Sequence, residues 1–246
     1  MKRIDGRRAN QLRQIKMTRG WAPYAEGSCL IELGDTKVLC TASVEDRVPP
    51  HLNNKNQGWV TGEYSMLPRS THHRSQREAR SGRQGGRTLE IQRLIGRSLR
   101  AVTDMKRLGP RTIIVDCDVL TADGGTRTAA ITGGMVALVD ACRWLVAEGL
   151  IKQLPIEDMT AAVSVGMLDE RLLVDLCYRE DSRADVDFNV IATGRGRLVE
   201  VQGTAEGTTF THEALDLMVS RAMMAIRRIV RQQRRVLGPI RLLGNK

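Results

Sequence analysis

Short stretches that alternate apolar and polar residues occupy the first third of the chain and predict β-strands. Ser28 to Glu45 is typical of a hairpin, because Cys29 to Leu33 and Lys37 to Val44 flank a Gly-Asp turn. A further strand is expected near Trp59 to Met66. Polar residues and glycines then predict a loop from Pro68 to Gly86.

Apolar residues recur at helical spacing after this loop. Thr88 to Val102 is a candidate helix whose apolar face collects Ile91, Leu94, Ile95, Leu99 and Val102. The β-branched stretch from Thr112 to Leu120 predicts a strand, and an Asp-Gly-Gly turn follows it. Thr126 to Leu150 is predicted to be mostly helical.

The second half of the chain repeats this layout. Ala161 to Cys177 predicts a hairpin that turns at Asp169-Glu170, and a further hairpin joins Asp185 to Thr193 with Arg197 to Thr204. Thr211 to Leu237 predicts a long helix with an apolar stripe, ended by a Gly-Pro pair. This order favours an α+β fold with mixed sheets and packed helices, built from two similar halves in a single domain spanning residues 1–246.

Composition narrows the class of protein. Aromatic residues make up only 3% of the chain, which argues against a nucleic-acid platform of stacked rings. The five cysteines are scattered in apolar contexts, as expected of buried thiols in a reducing compartment. The N-terminus lacks the apolar segment of a signal peptide, and no apolar stretch is expected to span a membrane. These features predict a cytoplasmic protein.

Positive charge predominates, and one loop concentrates it. The chain carries 38 Lys and Arg against 28 Asp and Glu, which favours a polyanionic partner over a merely soluble basic protein. Between residues 69 and 87 a single acid opposes six arginines, namely Arg69, Arg74, Arg77, Arg80, Arg83 and Arg87. Such a loop is either a solvated surface segment or a binding element for phosphates, which the guanidinium fork suits.

Two predicted helices begin with the same chemistry. Gly85-Gly86-Arg87-Thr88 and Gly124-Gly125-Thr126-Arg127-Thr128 each combine glycines, an arginine and hydroxyls at a helix start. Free backbone N–H groups and the positive end of the helix dipole make such places favourable for anions. An ordinary glycine turn with a threonine cap is the alternative at each place. Together the two helix starts could hold one phosphate from two sides.

Acidic residues supply the third candidate. In an extended segment Asp185 and Asp187 would point to the same side, and Asp116 and Asp118 form a second such pair. Neighbouring carboxylates either raise each other's pKa, which suits general acid–base work, or hold Mg²⁺. Solvated acids in a loop remain the alternative.

Taken in order, these segments strongly resemble ribonuclease PH over nearly the whole chain. The matching stretches are Arg3 to Arg8, Gly85 to Ile95, Asp116 to Leu120, Asp123 to Thr128, Asp175 to Arg183 and Val201 to Gly207. The resemblance implies the ribonuclease PH fold, also described as ribosomal protein S5 domain 2-like. It implies phosphate-dependent 3′→5′ trimming of tRNA precursors and other structured RNA, with release of nucleoside diphosphates.

The resemblance also implies roles for particular residues. Inorganic phosphate would bind at Arg87, Gly125, Thr126 and Arg127; catalysis would use Asp181 and Asp187; tRNA would bind Arg69, Arg74 and Arg77. Asp181 and Asp187 are also the expected ligands of Mg²⁺, and the sequence does not separate this role from proton donation by Asp181. The implied assembly is a hexameric ring, a trimer of dimers.

Two positions depart from the resemblance. Ala130 stands where many members carry Ser, which leaves hydroxyl contacts to Thr126 and Thr128, and Asp185 stands in place of Glu. The rival interpretation is a non-catalytic RNA-binding ring subunit of the same fold. The presence of both phosphate arginines and both acids favours the enzyme.

Overall fold

In the computed structural model, which describes residues 3–243 apart from the side chain of Ser81, each half of the chain builds one β-sheet. The first sheet contains β1 (Ile15–Arg19), β2 (Gly27–Leu33), β3 (Thr36–Glu45), β4 (Trp59–Met66) and β5 (Thr112–Thr121). Its strands lie in the order β1-β2-β3-β5-β4, and β4 runs parallel to β5 while the other pairs are antiparallel. The predicted first hairpin is confirmed. Strand β1 was missed because its Ile-Lys-Met-Thr-Arg sequence is short and largely polar.

The second sheet is antiparallel throughout the described residues. It contains β6 (Thr160–Leu168), β7 (Arg171–Val174), β8 (Val186–Thr193) and β9 (Leu198–Ala205), in the order β7-β6-β8-β9. Both predicted hairpins are confirmed, and Asp169 and Glu170 form the first turn with φ values of 50° and 59°. Strand β7 ends three residues before the predicted Cys177, because Asp175 adopts a φ of 61° and redirects the chain.

The three predicted long helices are present with boundaries shifted by a few residues. The described helices are α1 (Glu78–Ser81), α2 (Gly86–Arg100), α3 (Met105–Leu108), α4 (Thr126–Ala147), α5 (Tyr178–Asp181) and α6 (His212–Leu237), with a 3-10 turn at Pro50–Leu52. The short helices α1 and α5 were not predicted. Helix α1 interrupts the loop expected before Gly86, and α5 contains the start of the acidic segment.

The long helices lie between the two sheets. Helix α4 packs on β2 and β3 on one side and on β6 on the other, α6 packs on β6 and β8, and α2 packs on β4. An ion pair of 2.7 Å from Arg97 to Glu200 connects α2 to β9. Buried residues of both halves therefore form one continuous hydrophobic cluster. The α+β architecture and its two sheet-forming halves agree with the sequence prediction.

Helix α4 corrects one expectation from the sequence. It is long and apolar enough to cross a membrane by length and composition, although no such stretch was expected. Of its most apolar window, 78% is buried inside the protein. A helix enclosed by two sheets must be apolar on nearly all sides, so its composition is explained as that of a central core helix.

Candidate active site

The turn before α4 places backbone N–H groups at the end of the first sheet. Gly124 and Gly125 have φ values of 75° and 67°, a left-handed conformation that favours glycine. Thr36 fixes this turn, because its Oγ1 donates to Gly124 O at 2.7 Å and accepts from Asp123 N at 2.9 Å. No side chain of the described residues caps the first turn of α4. The positive end of this helix is thus available to an anion.

The second glycine turn opens α2 in a different conformation. Gly85 is extended and no side-chain cap is present at it. Thr88 does not act as the cap, since its Oγ1 donates to Glu78 Oε1 at 2.6 Å. Arg87, the second residue of α2, is exposed to solvent. The alternative of an ordinary threonine-capped turn is therefore not observed at this helix start.

Both arginines of the glycine turns lie beside the two candidate acids. Asp181 is the last residue of α5 and Asp187 the second residue of β8. Burial and the neighbouring Asp187 raise the pKa of Asp181 to about 6, while Arg87 and Arg127 act in the opposite direction. Burial also raises the pKa of Asp187 against the same two arginines. Two arginines and two acids, which are spread over the 100 positions from Arg87 to Asp187, therefore share one site.

Arg127 is held in place by neighbouring polar side chains. Its Nη1 donates to Glu90 Oε1 at 3.2 Å and to Gln202 Oε1 at 3.0 Å, which ties α4 to α2 and β9. Beside it, Tyr64 donates its hydroxyl proton to Thr126 Oγ1 at 2.8 Å. The Thr126 side chain is nearly buried, so its hydroxyl faces a fixed environment. Glu90, Gln202 and Tyr64 were not singled out from the sequence.

A buried ionic network fixes the segment that carries Asp181. Arg13 donates to both carboxylate oxygens of Asp175 and, through Nη1, to Asp123 O at 2.6 Å. Arg3 donates to the carboxylate of Glu180 and to Val174 O, the latter at 2.7 Å. The N-terminal segment thus joins the glycine turn to α5. The sequence indicated Arg3 only through the resemblance and did not indicate Arg13, because the partners of both lie more than 100 positions away.

Gly124 and the start of α5 are in close contact. A Cβ at Gly124 would lie 2.7 Å from Tyr178 N and 2.8 Å from Leu176 O. Tyr178 N donates to Asp123 Oδ1 at 3.2 Å across the same contact. Glycine is required here by this close approach as well as by its φ value. The glycine turn and the helix bearing Asp181 are consequently positioned together.

Two cavities border the arginine-bearing loop of residues 69–87. The first, about 750 Å³, lies between the arginine-bearing loop of residues 69–87 and the polar face of β4 and β5. Its charged lining includes Arg77, Arg83, Arg87, Glu63, Asp116 and Asp118. The second, about 820 Å³, is lined by polar residues that include Arg69, His72, Asp123, Tyr178 and Arg179. Arg87 is the site residue that lines the first cavity, whereas Arg127, Asp181 and Asp187 are in neither lining.

The remaining predicted residues lie as follows. Arg74 is exposed on the loop between the two cavities. Asp116 and Asp118 do share one side of β5, and burial raises the pKa of both. Asp185 is exposed and precedes β8, so the carboxylate that faces Asp187 belongs to Asp181 rather than to Asp185. The predicted pair of Asp185 and Asp187 is therefore not observed. The two neighbouring acids are Asp181 on α5 and Asp187 on β8.

The structure also shows the surroundings of Ala130, one of the two positions that depart from the resemblance. Ala130 is fully buried, and its carbonyl oxygen accepts from the thiols of Cys40 and Cys117 at 3.7 Å each. The hydroxyl of Thr128 donates to Gly125 O at 2.8 Å, which leaves it directed at the backbone rather than at an anion. Of the two threonines expected to compensate for Ala130, Thr126 alone keeps a hydroxyl at the rim of the site.

The acids fit a magnesium ion only together with a substrate. Among the described residues, no group of three or more His, Cys, Asp and Glu is arranged to hold a metal. Magnesium is commonly held by one or two carboxylates plus phosphate oxygens and water. Asp181 and Asp187 can supply such a pair, and a phosphodiester between them and Arg127 would supply the rest.

Comparison with known proteins identifies two matching sequence families. The profile described as "3′ exoribonuclease family, domain 1" matches residues 11–143, and "3′ exoribonuclease family, domain 2" matches residues 158–224. Solved structures share the fold at low sequence identity. Rice (Oryza sativa) Rrp46 has a TM-score of 0.77 at 21% identity and covers 96% of this chain and 100% of its own.

Two archaeal structures are similarly close in fold. The Archaeoglobus fulgidus exosome with RNA bound to the active site has a TM-score of 0.80 at 20% identity, with coverage of 94% of this chain and 92% of that chain. An archaeal exosome core has a TM-score of 0.75 at 20% identity, with coverage of 95% and 91%. At these identities the likeness establishes the fold alone.

Proposed function

The chain belongs to the 3′ exoribonuclease family, and we propose that it is a phosphate-dependent 3′→5′ exoribonuclease acting on tRNA precursors and other structured RNA. The observation that carries this proposal is the convergence of Arg87, Arg127, Asp181 and Asp187 beside an uncapped helix start. Phosphorolysis must bring two anions together, and their repulsion has to be offset by positive groups. The site offers cations for the phosphate and acids for the RNA end.

In this mechanism Arg87, Arg127 and the N–H groups after Gly125 hold inorganic phosphate. An oxygen of that phosphate attacks the phosphorus of the last phosphodiester, and the bond from this phosphorus to the 3′ oxygen of the preceding nucleotide breaks. The products are a nucleoside diphosphate and an RNA shorter by one nucleotide. Asp181, with its pKa near 6, is protonated in a useful fraction of molecules and donates the proton to the departing 3′ oxygen.

In the alternative arrangement, a deprotonated Asp181 would hold Mg²⁺ together with Asp187. Bound there, the ion would neutralise negative charge on the phosphodiester. Arg127 is oriented by Glu90 and Gln202 before substrate arrives, which lowers the cost of ordering its side chain on binding.

The substrate assignment rests on the loop of residues 69–87. Arg69, Arg74 and Arg77 are exposed, and they are too widely spread to serve a single phosphate at the active site. We assign them to the body of a tRNA. The chain shares its fold with subunits of exosomes. We propose that it assembles as a hexameric ring, a trimer of dimers, in the cytoplasm.

The experiment is to incubate the protein with a 3′-extended tRNA with and without inorganic phosphate. Shortening should require phosphate, and excess nucleoside diphosphate should drive extension of the 3′ end instead. Shortening in phosphate-free buffer with release of monophosphates would contradict the proposal. Binding of the RNA without any shortening would favour the non-catalytic ring subunit.

A further inference from the structure

The second half of α6 concentrates positive charge that the proposed active site does not use. From position 221 to the end of the described chain there are seven arginines and no acidic residue. Six of these arginines are exposed: Arg227, Arg228, Arg231, Arg234, Arg235 and Arg241. The opposite side of the helix is buried in the core through Ile226, Ile229 and Val230. Five of them therefore form an outward-facing strip along α6, and Arg241 lies beyond the end of the helix.

The turn between β8 and β9 adds two more arginines beside this strip. Arg195 and Arg197 are exposed on the turn. A Cβ placed on Gly196 would lie 3.6 Å from Nη2 of Arg227, and one on Gly194 would lie 3.6 Å from Nη2 of Arg234. The turn is thus in direct contact with the helix. We call the surface formed by Arg195, Arg197, Arg227, Arg228, Arg231 and Arg234 the basic face.

Acidic residues compensate very little of this charge. Asp158 is the acid at this surface, and it lies 3.7 Å from Nη2 of Arg234 while also accepting from Arg195 N at 2.8 Å. Among the described residues no carboxylate lies within ion-pair distance of Arg227, Arg228 or Arg231. Clustered like charges repel one another, so an anionic partner would stabilise this surface.

We propose that the basic face binds the phosphate backbone of a structured RNA while the RNA 3′ end occupies the active site, an inference that rests on the proposed function. Strand β8 connects the two places, with Asp187 near one end and the arginine turn at the other. Seven residues of strand separate Asp187 from Gly194, which corresponds to about 23 Å. An oligonucleotide of two or three nucleotides is too short to bridge this distance, whereas the stem of a structured RNA can reach the basic face while its 3′ end lies at the active site.

The spacing and chemistry of the basic face fit phosphates. Arg227 and Arg231 are one helical turn apart, a rise of about 6 Å along α6, which is similar to the separation of neighbouring phosphates on a nucleic-acid strand. Guanidinium groups donate two parallel hydrogen bonds to a phosphate. A membrane surface is disfavoured, because amphipathic helices bind lipid through their apolar face and that of α6 is packed against β6 and β8.

The test compares two variants with the same loss of charge. Arg227→Gln with Arg231→Gln changes the basic face, and Lys55→Gln with Lys106→Gln removes two exposed positive charges elsewhere. Affinity for a 3′-extended tRNA is measured over a range of salt concentrations, and turnover is measured on a short unstructured oligonucleotide. The basic-face variant should bind the tRNA about five- to thirtyfold more weakly. Its slope of log affinity against log salt should be smaller by about one to two, with oligonucleotide turnover unchanged.

The control variant should keep tRNA affinity and salt slope close to those of the unaltered protein. Unchanged tRNA binding by the basic-face variant would overturn the inference while the proposed function stands. An altered oligomeric mass without a change in tRNA affinity would overturn it too, and would assign this surface to contact with a second copy. Failure of the unaltered protein to shorten RNA would count against the proposed function instead.

Discussion

At the scale of single residues, the acids of the site are under electrostatic strain. Asp181 and Asp187 are both largely removed from water and lie close enough to repel each other, and the pKa of Asp181 consequently rises to about 6. Arg87 and Arg127 lower the pKa of Asp181, but they offset the effect of burial and of Asp187 only in part. A carboxyl group in such a position is suited to donate a proton near neutral pH, and the folded protein loses stability by keeping it there.

Asp181→Asn should therefore abolish turnover and stabilise the fold. Folding raises the pKa of Asp181 from 3.8 to about 6, so the folded state holds the proton of this carboxyl group more tightly than the unfolded state does. The ionised carboxylate therefore lowers the free energy of unfolding. This loss of stability develops as the pH rises from about 4 to 6 and is complete above that. The variant should gain about 1 to 2 kcal/mol of unfolding free energy at pH 7.5, allowing for solvent screening, and much less at pH 4. Denaturant unfolding at the two pH values measures this. An equal gain at both would show that the carboxyl group is not perturbed.

The proposed phosphate ligands Arg87 and Arg127 give a second prediction. Arg87→Ala or Arg127→Ala should raise the phosphate concentration needed for half-maximal rate by about tenfold to a hundredfold, since a charge-assisted hydrogen bond contributes about 1.5–3 kcal/mol. Affinity for tRNA should change little. Arg93→Ala on α2 is the control, because Arg93 is exposed one and a half turns beyond Arg87. Normal turnover of either phosphate variant at low phosphate would refute the assignment.

At the scale of elements, local patterns predicted the hairpins and the long helices well. The β2–β3 hairpin and α6 follow from alternation, turn residues and helical spacing, which are properties of neighbouring residues. The parallel pairing of β4 with β5 does not, because α2 and the segment after it separate the two strands. Local patterns likewise do not show which distant residues come together at the candidate site. Its arginines and acids were identified, but the supports from Glu90, Gln202 and Arg13 depend on tertiary packing.

Gly124 tests whether the glycine turn and α5 act together. Gly124→Ala would place a methyl group against Tyr178 N, while Gly149→Ala introduces the same strain of a positive φ into open space. The control should lose about 1 to 2 kcal/mol of stability. Gly124→Ala should lose a further 1 to 3 kcal/mol and also lower the turnover rate, because α5 carries Asp181. Thermal unfolding and kinetics on a short oligonucleotide compare the two. Equal behaviour of both variants would contradict the predicted coupling.

At the scale of the whole molecule, the arginine loop and the proposed ring are connected. The combined variant Arg69→Ala, Arg74→Ala and Arg77→Ala should weaken tRNA binding and flatten its salt dependence, while turnover of a short oligonucleotide persists. The loop of one subunit could serve the active site of its neighbour. In that case, rings that combine subunits of the triple arginine variant with Asp187→Asn subunits should process tRNA faster than rings of either variant alone. Activity equal to the sum of the two parents would place loop and site in the same subunit. Equal loss on both substrates would assign the loop to catalysis.

Inorganic phosphate, rather than water, is the proposed attacking group. The most direct measurement is to supply isotopically labelled phosphate with a 3′-extended tRNA and to analyse the released nucleotides, using Asp187→Asn as the inactive control. We predict nucleoside diphosphates in which the terminal phosphate carries the label, and none from the control. Release of unlabelled nucleoside monophosphates would contradict this account, because water would then be the attacking group.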